Sequence, residues 1–330
     1  MLMTGGARAL DRARGRLFGA VGRWPAAQAL ARRRGARLCV VGCATVAVAF
    51  AGVALLPLVM LAVAPVVLGV PHVAADVRYL VVRRAAIARR AWWPLGVAAV
   101  MCTVAAALGD LQLVVASGLG GVVLAAALAD GRRGRRALVA GGAGVLLVAA
   151  VLSPRAAALT MAQAHNFVAV GLALWLVRDK MRLPWLPALL FCGGVAAIAC
   201  GALDAPLGAA LAHAGRIARI ATSVAPASAP SVVVVRLVGI FAFAQAVHYG
   251  AWLRLVPDGE RAGERPIGYR HSLALLRADF GRASALVVVA SVALPLAACF
   301  ALHDVRGAYF TLASFHGYLE LAFVAAALAR

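Results

Sequence analysis

The longest apolar stretch of the chain, 38-LCVVGCATVAVAFAGVALLPLVMLAVAPVVLGVPHVAADVRYLVV-82, decides the fold. A helix needs about 20 apolar residues to cross a bilayer, so this stretch is long enough to cross it twice. Pro57 and Pro65 offer the break between the two crossings, because proline lacks an N–H group and interrupts a helix. We predict one span over residues 38–56 and a second over residues 59–82.

The same pattern continues along all 330 residues, of which 64% are hydrophobic and 14% are charged. A soluble domain is about 45–50% apolar and about 25% charged. The composition therefore predicts an all-α fold, a polytopic transmembrane helix bundle with about ten spans. The other eight spans are predicted at residues 92–109, 111–129, 137–153, 156–177, 184–203, 231–254, 284–302 and 307–329.

Basic residues predict the orientation of this bundle. The chain has 33 Lys and Arg residues against 12 Asp and Glu residues, a net charge of +21. Basic residues collect in cytoplasmic loops of membrane proteins. With both termini cytoplasmic, the inner segments hold 27 of them and the outer connections four. This split predicts a multi-pass protein of a bacterial-type inner membrane, and it explains the charge without any nucleic-acid partner.

The predicted domains follow from this layout. Residues 1–37 form a basic cytoplasmic arm, which either lies on anionic lipid or is disordered. Residues 38–330 form a single transmembrane helical domain. Within it, residues 204–230 are predicted to be an external connection and residues 255–283 a cytoplasmic loop.

Four of the seven histidines, His72, His165, His248 and His316, fall inside predicted spans. Polar groups in lipid are costly and usually face an interior site. All four spans run from outside to inside. At about 1.5 Å per residue, His72, His165 and His316 lie on the order of 14–19 Å below the outer end, and His248 roughly 25 Å. We therefore predict that three or four of them meet near the middle of the membrane.

Carboxylates accompany two of these histidines. Asp76 follows His72 by four residues, and Glu320 follows His316 by four. Residues at this spacing share one face of a helix. Such a carboxylate would accept the free ring N–H of a ligand histidine on a neighbouring helix, or bind a metal itself.

Each carboxylate also has an interpretation without a metal. Asp76 would form an ion pair with Arg78 or Arg83, and Glu320 would hydrogen-bond to a tyrosine or to a partner helix. Tyr249 completes the set of candidate catalytic residues, with Asp76 and Glu320.

Four imidazoles from separate helices would make a metal-ligand set, and imidazole suits iron, copper and zinc. Open positions on such a metal would take dioxygen or water. Burial in the membrane favours a lipophilic small-molecule substrate, so the predicted partners are that substrate, dioxygen and membrane lipids. No nucleotide-binding loop, serine-nucleophile motif or His-x-x-x-His desaturase box occurs in the sequence.

The segment GVPHVAAD (69–76) resembles the Gly-x-Pro-His-Gly-x-x-Asp signature of the Brp/Blh-type β-carotene 15,15′-dioxygenases. Members of that family are polytopic membrane enzymes regarded as holding a histidine-ligated non-haem iron. They split a carotenoid with dioxygen to give retinal. His72 matches the first histidine of the family.

Two later segments extend the resemblance. HNFVAVG (165–171) is similar to the second histidine region of the family and assigns His165. FAFAQAVHYGAW (241–252) is similar to the third, where aromatic residues lead to a His-x-x-x-His pair, and it assigns His248. Trp252 stands where the second histidine of that pair occurs in the family.

The fourth ligand must then come from elsewhere, and FHGYLEL (315–321) offers His316. The resemblance implies an integral-membrane non-haem Fe(II) oxygenase acting on a carotenoid or other isoprenoid lipid, including oxidative cleavage to retinal. Its predicted metal ligands are His72, His165, His248 and His316.

Three other functions remain open. The first is a membrane electron carrier with haem b, in which two facing histidines ligate each haem. The second is a transporter or permease, whose pathway would use Asp76, Arg78, Arg236 and Glu320. The third is a scaffold protein whose polar residues only hold helices together.

Overall fold

The computed structural model of the chain describes residues 2–21, 23–84, 87–213, 224–226, 228–261, 263 and 268–330. Every regular element in these residues is a helix and none is a strand, which confirms the all-α prediction. The α-helices are α1 (Leu2–Val21), α2 (Pro25–Arg32), α3 (Arg34–Leu55), α4 (Pro57–Ala62), α5 (Ala64–Asp76), α6 (Arg89–Leu108), α7 (Leu111–Ala127), α8 (Arg133–Leu152), α9 (Pro154–Val177), α10 (Trp185–Ala199), α11 (Asp204–Ala212), α12 (Ser231–Gly250), α13 (Val256–Gly259), α14 (Tyr269–Phe280), α15 (Ala283–Leu312) and α16 (His316–Ala329).

Seven segments of the described chain are long and apolar enough to cross a membrane. Helices α10 and α11 meet at an angle of 64° and together would make an eighth. Helix α7 is apolar but has only 17 residues. These helices are typical of a multi-pass membrane protein, with seven or eight qualifying segments against the ten spans predicted. The seven are α3, α5 with its continuation to Val82, α6, α8, α9, α12 with its continuation to Gly259, and the segment Ala283–Ala329.

The long apolar stretch divides at its prolines. Helix α3 ends at Leu55, and Pro57 is the first residue of the short helix α4. Pro65 is the second residue of α5. Proline is tolerated in the first turn of a helix, where its missing N–H would have no partner in any case. The two prolines therefore start new helices and divide the apolar stretch 38–82 near the boundary between its two predicted spans.

The last apolar segment is interrupted at two places, and the first of them adjoins the predicted break between residues 302 and 307. Helix α15 has a kink at Ala301 (φ −145°, ψ 59°) and continues to Leu312. A turn follows, and α16 starts at His316. The predicted span over residues 307–329 therefore contains a break at residues 313–315. These three residues include no proline, glycine or charge that would have marked the break in the sequence.

Segments predicted to be cytoplasmic meet at one end of the bundle. The basic arm forms helices α1 and α2 in its described part. Residues 214–223 of the predicted external connection, and 262 and 264–267 of the predicted cytoplasmic loop, lie outside the described residues. The contacts at this end include Arg37 with Asp258 at 2.7 Å, Arg84 with Glu260, Lys180 Nζ with the Gly259 carbonyl oxygen at 2.6 Å, and the Tyr269 N–H with Asp11 at 2.7 Å.

Two clusters of buried apolar side chains hold the bundle together. One contains Leu80, Trp252 and Phe323, and the other contains Leu61 and Phe243. Because lipid is itself apolar, such clusters stabilise a membrane bundle through close packing more than through removal of apolar surface from water. Helix α9 and helix α12 with its continuation to Leu255 contribute residues to both clusters.

Candidate metal centre

Four ionisable side chains from three helices are fully buried in the bundle. His72 and Asp76 come from α5, His248 from α12 and Glu320 from α16, and each is 0% exposed. Groups of this kind are almost never fully buried without a partner. The place where these four side chains meet is therefore an unusually polar site in the interior of the bundle.

The donor atoms of these side chains are close enough to share one ion. Nε2 of His72 lies 3.2 Å from Oδ2 of Asp76, and Nε2 of His248 lies 3.2 Å from Oε1 of Glu320. One ligand atom each from His72, His248 and Glu320 all lie within 4.8 Å of one another. Two ligands that are each about 2.0–2.2 Å from an ion are about 3–4 Å apart, so the spacing suits a metal.

Neither of the two 3.2 Å contacts has the geometry of a hydrogen bond. Both ring nitrogens of His72, Nε2 of His248, and both carboxylate oxygens of Asp76 and of Glu320 are buried without a hydrogen-bond partner among the described residues. Leaving buried polar atoms unpaired is costly. A bound cation would satisfy these lone pairs together, so the residues present fit a metal ion.

Asn166 on α9 determines which way the His248 ring presents its lone pair. The Asn166 side-chain amide donates to the Ala162 carbonyl oxygen at 3.1 Å, which leaves its Oδ1 as an acceptor. The Nδ1–H of His248 donates to that oxygen at 3.0 Å. Nε2 then carries a lone pair, and it faces the Glu320 carboxylate. Two acceptors at this distance repel each other unless a cation or a proton lies between them.

His165 and His316 have their Nδ1 atoms fixed in the same way. His165 donates to the Met161 carbonyl oxygen at 3.0 Å, and His316 donates to that of Ala313 at 2.5 Å. Both rings keep Nε2 as the free nitrogen.

The structure brings all four predicted histidines together. Their ring centres are 4.2 Å apart for His72 and His248, 5.3 Å for His165 and His316, 5.5 Å for His72 and His316, and 5.6 Å for His165 and His248.

A hydrogen bond from Nδ1 to the backbone does not by itself identify a ligand. His213 donates to the Ala209 carbonyl oxygen at 2.8 Å in an exposed position, away from this cluster. The distinguishing feature of the buried histidines is their convergence with two carboxylates. His213 therefore provides a natural control for experiments on the cluster.

Tyr249, the third candidate catalytic residue, also lies in the cluster. It is buried, and its ring centre is 5.0 Å from that of His72 and 5.7 Å from that of His248. Tyr249 follows His248 directly in α12, so the two side chains leave the helix in different directions. The tyrosine ring covers His72 on one side.

The ion pairs considered for Asp76 are made with another residue. Arg78 and Arg83 both contact Asp279, at 2.5 Å and 2.9 Å. In the described part of the chain, Asp76 has no arginine or lysine within 4.0 Å, and its close contact is His72. The same is true of Glu320, whose close contact is His248.

Trp252 stands at the position where the resembled carotenoid-cleaving family has the second histidine of its His-x-x-x-His pair. Its indole N–H donates to the Ala169 carbonyl oxygen at 3.2 Å, and its ring centre is 6.3 Å from that of His72. An indole has no lone pair to offer a metal. Trp252 therefore forms an apolar wall at this side of the cluster.

Tyr309 is a residue of the site that sequence reasoning missed. It is buried, and its hydroxyl lies close to the side chain of Tyr249. Its ring lies directly against the Cα of Gly69, three residues before His72, where a Cβ would collide with it. Nothing in the spacing of Tyr309 links it to His72. The only signal was the glycine itself, which marks a close approach in a tightly packed helix.

The two helices that carry His72 and His248 each continue into a π-helical turn within a few residues of the histidine. In α5 the change covers Val77–Val82, and in α12 it covers Ala251–Leu255. π-Helical turns are rare and often occur at functional sites. The wider turn begins next to Asp76 in the first helix and three residues after His248 in the second.

An apolar cavity of about 350 Å³ borders the cluster on the side of His165 and His316. Its walls include Met161, Phe241 and Phe310. Ligand cavities usually measure about 300–1,000 Å³, with apolar walls and a few polar groups. A lipophilic molecule in this cavity would therefore lie against two of the four imidazoles.

No family model, curated protein or solved structure matches this chain. The resemblance to the carotenoid-cleaving family therefore stays a prediction. Inferences about function rest on the geometry of the site.

Proposed function

We propose that this chain is an integral-membrane non-haem iron oxygenase that acts on a carotenoid or another isoprenoid lipid. The observation that supports it is the buried group His72, His248 and Glu320, whose donor atoms lie together without other partners. Two histidines and one carboxylate with open positions are the ligand set typical of non-haem Fe(II) oxygenases. The apolar cavity beside His165 and His316 supports a lipophilic substrate.

In this proposal, His72, His248 and Glu320 hold the iron, and His165 and His316 lie between it and the substrate cavity. When bound, Fe(II) supplies the dioxygen chemistry that protein side chains lack. Asn166 keeps the His248 lone pair free by accepting its Nδ1–H. The apolar cavity walls keep water away from the site.

The charge of the site is also consistent with a divalent cation. Asp76 and Glu320 contribute two carboxylates, and neither has an arginine or lysine within 4.0 Å among the described residues. Uncompensated charges in a low-dielectric interior are strongly destabilising. A divalent ion would offset both carboxylates at once.

The proposed location is a bacterial-type inner membrane, crossed ten times, with both termini in the cytoplasm. The contacts that join the arm to residues 255–261 support this orientation, because both segments were assigned to the cytoplasm from their charge alone. Three passages account for the difference between ten crossings and the seven qualifying segments: the short helix α7, the bent pair α10 and α11, and the second crossing within Ala283–Ala329, which qualifies as one segment of 47 residues.

Two of the alternatives are less compatible with the geometry. The ring centres are 4.2 Å apart for His72 and His248 and 5.5 Å apart for His72 and His316, so neither pair has room for a porphyrin between its two rings. The rings of His248 and His316 are 6.4 Å apart, with His72 within 5.5 Å of both. For a transport pathway, Arg78 and Arg236 would have to reach the buried carboxylates. They contact Asp279 and Asp204 instead, at 2.5 Å and 2.7 Å.

The test is oxygen consumption by the purified, iron-loaded protein supplied with β-carotene or with an acid-ended apocarotenoid. We expect iron-dependent oxygen uptake with at least one of them and an aldehyde product by chromatography. His248→Ala should lower the rate by at least about 100-fold, since it removes a proposed ligand. His213→Ala, the matched histidine outside the cluster, should leave the rate unchanged. Uptake by the wild type no faster than by His248→Ala, with either lipid, would refute the proposal.

A further inference from the structure

One arginine lies inside the bundle without an acidic partner. The Nε of Arg306, on α15, donates to the Leu61 carbonyl oxygen at 3.3 Å. Its guanidinium carbon lies 4.4 Å from the centre of the Phe310 ring. Arg306 also interacts with the Tyr249 side chain, and no carboxylate in the described part of the chain lies within 4.0 Å of its guanidinium. The two terminal nitrogens of the guanidinium are left to bind something else.

Arg306 faces the same cavity as His165 and His316. The other described residues that line this cavity include Ser314 and Tyr318 but no acidic residue, and most are apolar. The cavity thus has a cation at one point, imidazoles at another, and apolar walls around both. A neutral hydrocarbon would use the walls and the imidazoles but would leave the cation unpaired.

We propose that this cavity binds a long-chain amphiphile whose terminal oxyanion, a carboxylate or a phosphate, pairs with Arg306 while its apolar chain passes His165 and His316. A guanidinium presents a planar fork of donors that matches either oxyanion in two parallel hydrogen bonds. The inference rests on the proposed function in one respect: the bound molecule would be its substrate. It narrows that substrate to an acidic lipid, because a hydrocarbon such as β-carotene has no group for Arg306.

The experiment measures binding of three probes with the same C16 chain to the purified full-length protein in a non-ionic detergent. The probes are tritiated palmitate, hexadecyl phosphate and hexadecanol. We expect palmitate, hexadecyl phosphate or both to bind on the order of 10- to 100-fold more tightly than hexadecanol, as a hydrogen-bonded charge pair would provide. Which of the two acids binds more tightly identifies the head group.

Variants test whether Arg306 and this cavity are responsible. Arg306→Gln, which keeps an N–H donor for Leu61, should remove the preference for the acids and leave hexadecanol binding unchanged. Arg306→Lys should keep part of the preference, since it retains the charge but not the fork. Arg155→Gln, at an exposed position outside the cavity, removes the same charge and should have no effect. Ala158→Phe, which fills the cavity, should weaken binding of all three probes.

Three results would overturn the inference. They are equal binding of acid and alcohol by the wild type, a preference that survives Arg306→Gln, and displacement of palmitate by millimolar inorganic phosphate, which would assign Arg306 to a free anion. Each measurement is made on metal-loaded protein and on protein treated with a chelator. A wild-type chain that takes up no iron when it is loaded but still prefers the acids would contradict the proposed function and leave this binding site standing.

Discussion

Asn166 is the residue that sets the tautomer of His248 in the cluster. By accepting the Nδ1–H of His248 at 3.0 Å, it holds the ring in the tautomer that points a lone pair toward Glu320. Hydrogen-bond partners of this kind orient ligand histidines, and their loss typically costs about 10–100-fold in metal affinity. Asn166 would therefore influence a metal bound by His248 without touching it.

Replacing Asn166 tests this role. Asn166→Leu removes the acceptor at similar size and should weaken iron binding by about 10- to 100-fold. Asn166→Asp keeps an oxygen in place and should bind iron nearly as well as the wild type. The measurement is competition with a coloured iron chelator. The control is Gln163→Leu, a change on the same helix as Asn166. It removes the hydrogen bonds from the Gln163 amide to the Val224 and Leu237 carbonyl oxygens. Equal affinities for the leucine and aspartate variants would contradict the role.

Glu320→Gln should have opposite effects on metal-free and metal-loaded protein. Without metal, the amide removes an uncompensated buried charge, so the unfolding temperature should rise by about 2–4 °C for each kcal/mol gained. With iron, the stabilisation by the bound metal should shrink because a ligand charge is lost. Thermal unfolding in detergent with and without iron measures both. An unchanged iron-dependent shift would show that Glu320 does not bind the metal.

Sequence spacing could predict which residues belong to the site but not how they pair. The four-residue spacing of His72 and Asp76 places the two side chains in contact, as the structure shows. Glu320 has the same spacing from His316, yet its carboxylate lies against His248 on another helix. Spacing describes neighbours within one helix, whereas contacts between helices depend on packing angles that a single sequence does not reveal.

At the scale of the elements, the position of His72 depends on how closely α5 and α15 approach. The Tyr309 ring occupies the space that a side chain at Gly69 would need. Pro71 follows within the helix, and the π-helical turn starts at Val77. His72 and Asp76 thus lie in a short α-helical stretch between two irregularities, packed tightly on one side.

Gly69→Ala tests this packing. The added methyl group would push Tyr309 and α15 away, and we expect a loss of about 1–3 kcal/mol in stability together with weaker iron binding. Gly171→Ala is the matched control, because Gly171 is also helical and its Cβ would meet no atom within 4 Å. Thermal unfolding and iron titration of both variants give the comparison. Equal behaviour of the two would show that the contact at Gly69 has no role in placing His72.

The ends of the helices were predictable where a proline marks them. Pro57 and Pro65 start new helices because proline cannot continue the preceding one. The turn before His316 was not predictable, since no proline, glycine or charge marks it. The π-helical turns were also missed, because they arise from packing and leave no pattern in composition.

At the scale of the whole molecule, charge placement and contacts give the same arrangement. The segments rich in arginine meet at one end, where Arg37 pairs with Asp258 and Arg84 with Glu260. Arg236, in the predicted span 231–254, pairs at 2.7 Å with Asp204 at the start of the connection assigned to the outer side. Composition alone was sufficient to predict a membrane bundle. Its number of crossings depends on short and broken helices, which composition describes poorly.

Reporter fusions test the orientation. Green fluorescent protein at the C-terminus should fluoresce, and alkaline phosphatase at the same position should be inactive, because Arg330 is assigned to the cytoplasm. Alkaline phosphatase inserted after Pro226, in the assigned outer connection, should be active. An active phosphatase at the C-terminus would contradict the assigned orientation.

The most direct test of the central claim is the metal content of the purified full chain after expression with added iron, measured by mass spectrometry of the elements. We predict about one iron per chain for the wild type and for His213→Ala, and at most about a tenth of that for His72→Ala and His248→Ala, because the loss of a ligand strongly weakens binding. A wild-type chain without bound metal, or a His248→Ala chain that keeps its full iron, would contradict the claim.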